Sequence, residues 1–141
     1  MRGCRWSSCR GPALTLIALI LAGCGRTGGM GGDESRAIAA RFLEELRAGR
    51  HEGAWQGTSA EFKSLMGLEN LRDYVKTHPA LKAPAEYVES RAIDRDGRGM
   101  TEHVFRATPQ ARRGNKPLPA TVRLLLAPGD EGWKVEHLSV E

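Results

Sequence analysis

Residues 85–108 read AEYVESRAIDRDGRGMTEHVFRAT, and this stretch decides the fold. Tyr87, Glu89, Arg91 and Ile93 alternate with Val88, Ser90 and Ala92, the two-residue period of a strand. The DRDGRG run at 94–99 holds the Asp and Gly residues that a hairpin turn demands, so residues 100–108 form the return strand. Further on, a polar loop over 109–117 precedes a third strand over 120–127. The PGDEG turn at 128–132 then leads into a fourth strand over 133–140.

On the N-terminal side of Pro84 the period changes. Ile38, Phe42, Leu43 and Leu46 follow helical spacing with Arg41, Glu44, Glu45 and Arg47 opposite, which predicts a helix over 34–48. Gly49 and Gly53 punctuate a shorter helical piece around Trp55. The TSAE run at 58–61 reads as a capping box in which the Thr58 hydroxyl accepts from the Glu61 amide, opening a short helix near Ser59. Gly67 ends that helix. Leu68, Leu71 and Val75 share one face of the next, over 68–77, before Pro79 forces the chain out of helix. Helices first and strands afterwards, with no βαβ alternation, define an α+β domain of two layers, N-terminal helices packed on a curved antiparallel sheet.

The chain has 141 residues, 21 Lys and Arg against 17 Asp and Glu, and 40% hydrophobic residues, which suits one modest domain. A mean hydropathy of −0.41 excludes a polytopic membrane protein. Arg2, Arg5 and Arg10 lie in a leader without acids, and the rest of the chain is close to neutral, so the pI near 9.3 reflects the leader and not a nucleic-acid surface.

That leader is followed by the apolar run ALTLIALILA at 13–22, then Gly23 and Cys24. Ten residues rise about 15 Å as a helix, whereas the hydrocarbon core is about 30 Å thick, so the run fits a signal-peptide core and not a membrane span. Leu21, Ala22, Gly23 and Cys24 resemble the lipobox of bacterial lipoproteins. The resemblance implies a signal peptide over 1–23, cleavage before Cys24, and diacylglyceryl attachment to the Cys24 sulfur with further acylation, so that the lipid chains hold the protein on a membrane. Gly25, where an Asp is associated with inner-membrane retention in enterobacterial members, favours the outer membrane. Residues 24–33 are the lipidated cysteine and its glycine-rich tether, with a reach of roughly 15 Å over eight residues. No cysteine follows Cys24, which excludes an intrachain disulfide, thiolate catalysis and a Cys-ligated metal in the mature domain.

Residues 34–141 carry a second resemblance. The opening helix, Gly49, Ala54, Trp55 and the terminal strand GWKVEHL at 132–138 are similar to the nuclear-transport-factor-2-like superfamily of cone-shaped, cystatin-like folds, which includes SnoaL-like domains. The fold hosts isomerases, dehydratases and cyclases beside non-catalytic binding modules, so function rests on the site. The resemblance implies a pocket enclosed by helices and sheet, in which enzymes of the family place an acid or base.

Candidates for that pocket are Trp55, Tyr74, Arg91, His103 and His137. His103 is in phase with Thr101 and Phe105, and His137 with Trp133 and Val135, so both imidazoles point inward if the strands carry no bulge. Val122, Leu124, Leu126, Trp133 and Val135 are expected to line the interior. A lyase or isomerase would use His103 or His137 as general base and Tyr74 as donor. No nucleophile elbow, phosphate loop, dinucleotide fingerprint or metal-ligand spacing is present in the sequence. His51 and His78 are isolated, and Asp94 with Asp96 reads as a solvated turn. No catalytic residue, cofactor or metal is therefore assigned, and the first reading is a membrane-tethered, non-catalytic domain that binds a small molecule, a peptide or an envelope partner. Arg106, Arg112, Arg113 and Lys116 form a basic loop without interleaved aromatics, which argues against nucleic acid. Leu125, on the opposite face of its strand from Leu124, suits a homodimer formed through the sheet.

Overall fold

The computed structural model describes residues 30–110 and 117–141. Among these residues four helices and a 3-10 turn precede four strands: α1 (Met30–Arg47), α2 (His51–Gln56), α3 (Ala60–Leu65), α4 (Leu68–Thr77), the turn Pro79–Lys82, then β1 (Ala85–Arg95), β2 (Arg98–Ala107), β3 (Ala120–Gly129) and β4 (Gly132–Val140). The strands pair in chain order as one antiparallel sheet, curved and cone-like under the helices. Among the described residues no helix is long and apolar enough to cross a membrane.

Helix α1 begins four residues earlier than its apolar spacing predicts. It buries Ser35, Ala39, Phe42, Leu43 and Leu46, and the last four pack on the sheet. It ends in a Schellman motif: the Gly49 amide donates to the Leu46 carbonyl at 3.1 Å and the Arg50 amide to the Glu45 carbonyl at 2.9 Å. The predicted capping box of Thr58 and Glu61 is replaced by a single N-cap bond one residue later. Ser59, not Thr58, caps α3, its hydroxyl accepting from the Phe62 amide at 3.0 Å, whereas the Thr58 hydroxyl donates to the Trp55 carbonyl. The physical reason is the backbone of β4: the Ser59 amide donates to the Val135 carbonyl at 2.9 Å, which holds Ser59 extended and starts the helix after it.

The core lies between the layers. Phe105, Val122, Leu124, Leu126, Val135 and Leu138 of the sheet meet Phe42, Leu46, Phe62, Leu71 and Val75 of the helices. Phe42 and Phe62 meet edge to face at 6.1 Å, a favoured aromatic geometry. The expected interior residues Val122, Leu124, Leu126 and Val135 are buried in this packed core, and Trp133 is half-buried at its margin. The first hairpin is tighter than the DRDGRG run implies: its turn is Asp96 and Gly97, with φ of 56° and 78°. Positive φ at both positions is the signature of the turn whose twist matches a hairpin, and Gly97 adopts it without a Cβ penalty.

Two bulges interrupt the sheet, one at Val88 in β1 and one at Glu136 in β4. The second reverses the alternation of β4. Val135 lies opposite Leu126, but His137 lies opposite Leu125, on the other face of the sheet.

Candidate functional site

Helices α1 and α2 and the start of β4 surround an open cleft of about 250 Å³. Its walls are Ile38 and Phe42 from α1, Ala54 from α2 and Trp133 from β4. The rim carries Arg41 and Glu45, 3.9 Å apart, and Lys134 and Glu131, 3.7 Å apart. Glu45 is half-buried and lies 3.6 Å from Arg50 as well, whereas Arg41 and Glu131 are exposed, so the rim presents one exposed charge of each sign to a bound group. Gly53 lines the cleft where α2 passes α1, and a Cβ there would come within 2.7 Å of the Glu45 carboxylate, so a side chain at 53 would displace the rim. An aromatic and aliphatic surface with charges of both signs at its edge can hold a small amphipathic group or a protein side chain.

Four of the candidate residues occupy other places. Tyr74 is structural: its hydroxyl accepts from the Val140 amide at 3.2 Å and its ring stacks on His78 with centroids 3.9 Å apart. Trp55 is half-buried, donating its indole N–H to the Met66 carbonyl at 2.9 Å, with the Lys63 ammonium over its ring at 5.2 Å. Arg91 is exposed, ion-paired with Glu89 and opposite Glu102 in the neighbouring strand. His137 is exposed because the Glu136 bulge turns it away from the interior. Of the basic loop, Arg106 is exposed, and Arg112, Arg113 and Lys116 lie outside the described residues, as does Cys24.

His103 does point inward. It is fully buried, and its Nε2 lies 2.9 Å from the Ser35 Oγ. Ser35 donates its single hydroxyl proton to the Gly32 carbonyl at 3.1 Å. The Ser35 hydroxyl and the His103 Nε2 share a hydrogen bond, and Nδ1 has no hydrogen-bond partner among the described residues. Burial, and secondarily the Arg36 guanidinium, hold the imidazole below its ordinary pKa. Ser35 was absent from the sequence-based candidates, since a serine on a helix 68 residues away gives no local sign of pairing with a strand histidine.

Above about pH 6.5 the unfolded and folded imidazoles are both neutral and the stability is intact. As the pH falls from about 6.5 toward the lower folded pKa, the unfolded chain takes up a proton that the folded site refuses, and stability is progressively lost. The melting temperature of wild type is expected to drop between pH 7.5 and 5.5 more steeply than that of His103→Leu, measured by calorimetry. Parallel curves would refute the assignment.

Glu136 is the second buried ionisable group, 7% exposed on the β4 bulge. Its Oε1 lies 3.4 Å from the Arg98 guanidinium, which also reaches Glu61 at 3.7 Å. Burial, together with the neighbouring Glu61 carboxyl, raises its carboxyl pKa from the ordinary value. Sequence alternation alone gives no sign of this burial, because without the bulge Glu136 belongs to the face opposite Val135. Among the described residues no cluster of three or more His, Cys, Asp or Glu side chains forms a metal site.

No protein-family model matches the chain, and no curated protein matches it. Among solved structures it is similar to a chain described as a 2.5 Å structure from Catenulispora acidiphila. The TM-score is 0.55 at 13% identity, over 77% of this chain and 88% of that one. That likeness concerns the fold: helices followed by an antiparallel sheet.

Proposed function

We propose that this protein is a lipid-anchored bacterial envelope lipoprotein whose folded domain is a non-catalytic binding module. In this reading the leader 1–23 is removed, Cys24 carries the acyl chains, the outer membrane is the destination, and the glycine-rich tether lifts the domain clear of the headgroups. The domain itself is assigned to the nuclear-transport-factor-2-like cone folds, a reading supported by its helix-then-meander order and its curved four-stranded sheet. One observation carries the binding role: an amphipathic cleft stands open at Ile38, Phe42 and Trp133, while Tyr74, His103 and His137 are dispersed and share no cavity with it. The occupant is a small amphipathic molecule, or a side chain of a peptide or envelope partner.

A photoreactive amino acid at Ile38 in the full chain is expected to give a discrete adduct in cells, and the same group at the exposed Glu69 on α4 to give none. Adducts from position 69 and none from position 38 would remove the cleft as the binding surface.

A further inference from the structure

The two edges of the sheet differ. The outer edge of β4 is occupied: the Ser59 amide bonds the Val135 carbonyl, and the Val140 amide bonds the Tyr74 hydroxyl. Strand β1, at the other edge, pairs with β2 alone, and no other described element donates to or accepts from its backbone. At 11 residues β1 is about twice the usual strand length. It holds neither the proline nor the lysine with which exposed edges are commonly blunted. Its bulge sits at Val88, and from Glu89 to Arg95 the register against β2 is unbroken.

That unbroken run is self-complementary. Ala92 is its midpoint. An antiparallel pairing with a second copy about Ala92 sets Glu89 opposite Arg95 of the other copy, twice, and Ser90 opposite Asp94, twice. Arg91 faces Ile93, and each pair joins positions on the same face of the sheet. Arg95 gains most, because its neighbour within the hairpin is Arg98, a like charge. The register centred on Ser90 is worse on two counts: it sets Glu86 opposite Asp94 and brings the bulged Val88 into the ladder.

We propose that β1 is a self-recognition edge through which two copies of this chain join antiparallel about Ala92 into one continuous eight-stranded sheet. The pairing depends neither on the cleft nor on the lipid, and it differs from a dimer through the face that carries Leu125.

The cysteines of the chain are Cys4, Cys9 and Cys24, all ahead of the described domain, so a crosslink in excess of that given by the unsubstituted chain reports the introduced cysteine. On the axis, Ala92 lies opposite itself at the 4.5–5.5 Å Cα spacing of antiparallel pairs, roughly the distance a disulfide requires. Position 90 is four residues out of register with its own copy, roughly 13 Å away. Mild oxidation of Ala92→Cys is expected to give a disulfide dimer several-fold above Ser90→Cys, Asp94→Cys or the unsubstituted chain. Mixing Ser90→Cys with Asp94→Cys is expected to restore crosslinking. Adding Arg95→Glu to Ala92→Cys should lower the dimer yield several-fold, and adding Glu89→Arg to that variant should recover it. No dimer above background at 92, a maximum at another β1 position, or a dimer formed by Leu125→Cys in place of Ala92→Cys would overturn the proposal.

Discussion

Cys24→Ser is expected to abolish fatty-acid incorporation completely and to leave the 23-residue leader attached. The chemistry of the proposed anchor requires a sulfur at this position, because the glyceryl group is held by a thioether and cleavage follows that modification. The consequence is large because membrane affinity grows with every buried methylene, at about 0.8 kcal/mol each, so that two or three chains anchor a protein where one holds it only marginally. The ten-residue run at 13–22 is too short to replace them as a span. Labelling cells with a tagged fatty acid and taking the intact mass of the purified protein checks both halves of the result. Label retained in Cys24→Ser, or a wild-type chain beginning anywhere other than Cys24, would end the lipoprotein reading.

The second large effect lies in the core. Leu124 is 0% exposed in the interior strand β3, paired with His103 on one side and Leu138 on the other. Its truncation to alanine removes buried methyl groups and leaves a cavity that a tightly packed surround cannot fully close, at a cost of about 2–5 kcal/mol. Domains of this size hold only about 5–15 kcal/mol in total, so Leu124→Ala should lose a large share of its stability. Leu65, 73% exposed at the end of α3, sets the control, and Leu65→Ala should change stability by no more than about 0.5 kcal/mol. Urea unfolding of the two variants measures the contrast. Equal midpoints would mean that the layer between helices and sheet is not the stabilising core.

How far the sequence reaches depends on the range of the interaction that decides each feature. The 68–77 helix follows from Leu68, Leu71 and Val75 with Gly67 before and Pro79 after, all within one local window, and its observed bounds agree. The hairpin follows from Asp and Gly at the turn and alternation on both sides. Leu124 and Leu125 were separable for the same reason: adjacent strand residues face opposite ways, and the structure buries the first and half-buries the second. The N-cap falls at Ser59 and not at Thr58 because a contact with β4, far along the chain, holds Ser59 extended.

The candidate site was less accessible. His103 and His137 share the same sequence argument, strand phase relative to aromatic and apolar neighbours, yet only His103 is inside. The difference is one bulge at Glu136, which β4 carries where the segment between α2 and α3 docks against Val135. Tyr74 was expected as a donor to a ligand, and its hydroxyl instead accepts from the last strand.

By itself, then, the sequence determined the α+β class, the order of helices and strands and the turn chemistry, because periodicity, caps and hairpin residues act between near neighbours. Tertiary structure alone decided which imidazole is sealed, that Ser35 bonds its Nε2, that Glu136 is buried beside Arg98, and that one sheet edge is covered while β1, among the described residues, pairs with β2 alone. Those outcomes depend on contacts between residues tens of positions apart, where a single extra residue in a strand reverses the direction of every side chain beyond it.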